Sequence, residues 1–170
     1  MPDQDRQTER VGEPSGSDGR ALLTVPAGIV EWLRRGVFAE IGSAAEAMDE
    51  AAFKDGRESH PEWFLGPLED LKEIVALLER IGWDATVSPV DARLDLRRGR
   101  RALLRALEAA LGFAEEDASE AVRRDAERTD EQELTAAERD IEIERVGVLR
   151  DFIATVQAGI DALVDESEGL

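Results

Sequence analysis

The chain contains no cysteine, no tyrosine and a single histidine in 170 residues. The first absence excludes disulfides, thiolate metal sites and cysteine nucleophiles. With one histidine, nearly every nucleophile-and-base arrangement would have to run through His60. Di-iron bundles need a Glu-x-x-His on each of two helices, whereas His60 stands before a proline. No Gly-rich phosphate loop is present, because Arg98-Gly99-Arg100 and Gly66-Pro67 lack the spacing and the preceding strand. Lysine is nearly missing too: Lys54 and Lys72 stand against 19 arginines, a bias expected of a GC-rich bacterial genome. No apolar run approaches the roughly eighteen residues of a bilayer span. The opening MPDQDRQTERVGEPSGSDG has no apolar core of a secretory signal, so cytoplasmic residence is expected.

What is present is charge and helical pattern. Acids number 39 against 21 lysines and arginines, a formal net charge of -18, in a chain that is 42% hydrophobic and 35% charged. This is too apolar for wholesale disorder and too acidic for general nucleic-acid binding, which needs a dominating positive surface. Residues 1–20, rich in Gly, Ser, Asp and Pro, read as a disordered tail, and 21–170 as a single helical-bundle domain.

A first helix is announced by Thr24-Val25-Pro26, a capping hydroxyl ahead of a first-turn proline. Its apolar stripe runs through Val30, Leu33, Val37, Ile41, Ala44 and Met48 to about Phe53. Gly36 and Gly42 inside it suggest close approach of a neighbouring helix. A second helix follows His60-Pro61-Glu62-Trp63 and strengthens from Pro67 through Leu68, Leu71, Val75 and Leu78, with Gly82 as its stop. Val90, Ala92, Leu94 and Leu96 alternate with Asp91, Arg93 and Asp95, a period of two. Without an evident mate, this reads as an extended connection packed on the bundle. A third helix is expected from Leu96 or Arg97 to about Arg128, and a fourth from about Leu134 to Val164. Four helices with short connections predict an all-α, up-down-up-down antiparallel four-helix bundle.

The chemistry-bearing feature is a run from Arg93 to Arg105. Arg93, Arg97, Arg98, Arg100, Arg101 and Arg105 are opposed within it only by Asp95. The run sits where the third helix begins, the end at which the helix dipole disfavours cations. Two readings stand. The arginines neutralise carboxyl-terminal helix ends inside the bundle, or Arg97, Arg98, Arg100 and Arg101 dock an acidic protein surface or anionic ligand. The acidic stretch Glu115 to Asp140, with eleven acids against four arginines, reads as a solvated hairpin tip. The leading expectation is a non-enzymatic protein acting through protein–protein interaction as a regulator, adaptor or assembly subunit. Its partner is another protein or a second copy of the chain, and no cofactor is expected. The alternative is a bundle binding a small molecule or divalent metal through Trp32, Trp63 and His60. The cluster Glu58-Ser59-His60-Pro61-Glu62 reads first as a helix entrance, and Trp32, Trp63 and Trp83 most simply as core or helix-end packing.

Overall fold

The computed structural model describes residues 21–53, 62–84, 86–127 and 134–168. The elements are β1 (Leu22–Val25), α1 (Ala27–Phe53), α2 (Glu62–Ile81), β2 (Ala92–Asp95), α3 (Arg100–Ala126) and α4 (Leu134–Glu168). Among the described residues the fold is mostly helical, as expected, with one two-stranded sheet. The expected tail at 1–20, His60, and residues 128–133 within the stretch Glu115 to Asp140 lie outside the described residues.

The sheet is the main departure from the sequence reading. β1 and β2 pair antiparallel, with Leu22 opposite Asp95, Leu23 opposite Leu94, Thr24 opposite Arg93 and Val25 opposite Ala92. The alternation around Ala92 to Leu96 is thus a true strand, and the segment just before the first helix is its mate. Val25, Ala92 and Leu94 are buried, while Leu22, Thr24 and Arg93 face outward. Thr24 is therefore an outward strand residue and not the cap of α1. The first N–H of α1, from Ala27, is donated to Asp91 Oδ1 at 2.9 Å, a capping bond supplied from 64 residues away.

Ile29, Val30, Leu33, Val37 and Ala44 form the buried stripe of α1, and the first four join Ile74, Leu77, Leu78 and Ile81 of α2 in the core. Leu33, Ile74, Leu94, Leu107 and Leu149 are wholly enclosed, each burial contributing about 1.5–3 kcal/mol. α2 stops as expected at Gly82, whose φ of 78° is the left-handed conformation of a helix terminator. α3 begins three to four residues later than its pattern suggests. Asp95 first makes a turn, accepting the N–H of Arg97 on Oδ1 at 2.9 Å and that of Arg98 on its carbonyl at 3.0 Å.

Small residues set how closely the helices meet. A Cβ at Gly36 would overlap the carbonyl oxygen of Ala106, so α1 lies backbone to backbone on α3. The buried Ala102, Ala106, Ala110, Ala114, Ala118 and Ala121 make α3 narrow along its length. Gly42, by contrast, looks into open space, so only the first of the two glycines marks a helix contact. α3 and α4 form an antiparallel hairpin in which Asp125 meets Arg139 and Glu115 meets Arg150. Val146, Leu149, Val156 and Ile160 are the buried stripe of α4.

Candidate functional site

Arg105 reaches between α1 and α2. Its guanidinium lies 2.6 Å from Glu40 and 2.7 Å from Asp70, and its side chain is 33% exposed. Burial opposes its charge, but the hydrogen bond to Asp70 and the field of Glu40 outweigh that and hold its pKa above the ordinary arginine value. Arg101, one turn earlier, approaches Asp70 only to 4.0 Å with 73% of its side chain exposed. Arg93, Arg98 and Arg100 are exposed, and their side chains make no hydrogen bond or ion pair among the described residues. Arg97 is exposed and engaged. One sequence block therefore divides into a structural arginine and a projecting group.

The carboxyl end of α2, one of the ends the block was expected to neutralise, is served from elsewhere. Arg34 on α1 donates to the carbonyl of Ile81 at 3.3 Å and to that of Val87 at 3.2 Å. The amino end of α3 has no compensation of its own. Gly99 at its N-cap is left-handed and offers no side-chain cap, and the first turn carries no acid. Exposed Arg97, Arg98, Arg100 and Arg101 thus flank in sequence the uncapped positive end of α3.

The acids beyond Glu115 are more engaged than a solvated tip suggests. Arg123 and Arg124 both bind Glu120, at 2.7 and 3.2 Å. The side-chain bond from Arg123 is the main cause holding the Glu120 carboxyl below its usual range. Arg139 bridges Asp140 at 2.7 Å and Asp125 at 2.5 Å.

Of the second set of site residues, the structure places one. Trp32 lies half-buried in an apolar groove of about 350 Å³ between the start of α1 and α4, with Pro26, Ile29, Ile141, Val148 and Leu149 around it. Two guanidinium groups approach its ring, Arg35 at 5.4 Å and Arg145 at 5.6 Å from the centroid. Trp63 lies in α2 with its side chain outside the described residues, and His60 is outside them as well. Trp83 is 67% exposed beyond the end of α2, which corrects its reading as helix-end packing. Among the described residues, no group of three or more His, Cys, Asp or Glu side chains is placed to hold a metal ion. No described helix is long and apolar enough to cross a membrane.

The sequence pattern singled out the arginines but not their division, which depends on Glu40 and Asp70 from two other helices. Nor did it single out Val148, whose seven-residue spacing from Ile141 on α4 was the available signal. No protein-family model matches the chain, and neither a curated protein nor a solved structure does.

Proposed function

We propose that this chain is a non-enzymatic, cytoplasmic helical protein that acts by docking an acidic protein surface through Arg97, Arg98, Arg100 and Arg101, as a regulator, adaptor or assembly subunit. One observation carries the reading: the fold uses Arg105 to join α1, α2 and α3, yet leaves the rest of the cluster exposed around an uncapped helix start. Positive charge there costs the helix about 0.3–1 kcal/mol per group, so an external anion is the natural complement. In a protein of net charge -18, such a patch also orients an acidic partner during encounter.

The test is capture from lysate by the wild type and by a variant carrying Arg97→Glu, Arg98→Glu, Arg100→Glu and Arg101→Glu, with circular dichroism confirming that both are folded. Retention of a protein by the wild type alone supports the reading, and identical captures refute it. A second reading, small-molecule binding, is favoured by the position of Trp32 on an open apolar groove.

A further inference from the structure

The groove between α1 and α4 carries an inference about ligand chemistry that is independent of the arginine cluster. Its walls are apolar: Pro26 and Ile29 on one side, Ile141, Val148 and Leu149 on the other, with the Trp32 ring between them. Ile141 and Val148 are each 49% exposed, so this apolar surface is open to solvent. A volume of about 350 Å³ lies at the small end of ligand sites.

Its charged lining consists of Glu31, Glu144 and Arg145. The two glutamates are exposed and have no hydrogen-bond or ion-pair partner among the described residues. The arginine is already occupied, because Arg145 donates to Glu142 Oε1 at 2.7 Å while its guanidinium sits 5.6 Å from the centre of the Trp32 ring. The ring thus already meets two guanidinium groups, Arg145 and, at 5.4 Å, Arg35, and neither of them pairs with Glu31 or Glu144. We propose that this groove binds an amphipathic organic cation, an ammonium or guanidinium group on a small aromatic or aliphatic body. The body lies on Ile29, Ile141 and Val148, and the cation sits over Trp32 between Glu31 and Glu144.

Displacing Arg145 from the ring costs little. Its side chain is 47% exposed, and apart from the ring its one ion-pair partner among the described residues lies three residues away on its own helix, an exposed pair of the kind that holds a side chain weakly. It keeps that partner after moving, and Glu142 has a second oxygen, Oε2, with no hydrogen-bond partner among the described residues. The net charge of the chain favours a cation over the corresponding anion at every stage of approach.

The probe is naphthylmethyl-trimethylammonium, with naphthylacetate as the anion carrying the same ring, each titrated calorimetrically into the full chain. The expected result is saturable binding of the cation, weakened by added salt, with the carboxylate at least about tenfold weaker. Glu31→Gln with Glu144→Gln, both at exposed positions, is expected to weaken the cation about tenfold while leaving the circular dichroism unchanged. Trp32→Leu is expected to do the same. If that variant unfolds, the glutamine pair decides alone. Equal binding of the two probes, unchanged binding by the glutamine pair, or no saturation by about 10 mM cation overturns the proposal. So does sedimentation showing a wild-type dimer that Val148→Asp converts to monomer, since the groove would then belong to a second copy.

Discussion

Arg105 and Arg100 stand five residues apart at the start of the same helix, and the fold treats them oppositely. Arg105 lies in the second turn of α3, on the side where α1 and α2 converge, and meets carboxylates from both. Arg100 begins the helix, where no neighbouring element covers it, and faces solvent. The difference shows that a charge block is not one functional unit. Helical position decides which members the core recruits and which it leaves exposed.

The comparison breaks most severely if α1 and α3 are pushed apart. Gly36→Ala places a methyl against the Ala106 carbonyl, and separating the helices also withdraws Glu40 from Arg105. We expect a loss of about 3 kcal/mol, read as a lower urea midpoint. Arg105→Ala leaves Glu40 without its cation and Asp70 with only the 4.0 Å approach of Arg101. Allowing for the solvent that reaches the group, the expected loss is about 1–2 kcal/mol, measured by the same unfolding curve. Asp91→Ala removes the cap of α1 and is expected to cost about 1 kcal/mol.

The projecting arginines should show the opposite sign. Arg100→Glu puts an acid in a first turn that has none, so stability should rise by about 0.3–1 kcal/mol while partner capture falls. A fall in stability comparable to that of Arg105→Ala would mean that Arg100 too is structural. The smallest effect is that of pH. Glu120 has a folded pKa below its ordinary value, chiefly through its bond from Arg123, so the unfolded chain binds its proton more readily. Its contribution is complete above the ordinary glutamate pKa and disappears as pH falls through the lowered one. Glu120→Gln should flatten that part of an acid-unfolding profile.

Much of the helical frame is legible in the residues. The stripes ending near Phe53 and the stop at Gly82 reappear in the fold, because both rest on local periodicity and on a left-handed glycine. The strand pair was half legible. Ala92 to Leu96 alternated visibly, but Leu22–Val25 is four residues long and adjoins Pro26, so local signals alone assign it to the entrance of a helix. Its mate lies about seventy residues away, and no local pattern encodes that distance. Asp91 as the cap of α1 was hidden for the same reason. Gly36 and Gly42 looked alike, and only the passage of α3 beside one of them tells them apart. In the site, the arginine cluster was evident from composition, whereas its division required Glu40 and Asp70 to be placed in space. Trp32 was one tryptophan among three until α4 came beside it.

The most direct test of the arginine division follows the side-chain Nε–Hε resonances of the arginines while a glutamate-rich peptide is added. The account predicts that Arg98 and Arg100 shift in a saturable, salt-sensitive manner while Arg105 stays in place. Movement of Arg105 with Arg98 and Arg100 unchanged would contradict it, and so would the absence of any shift.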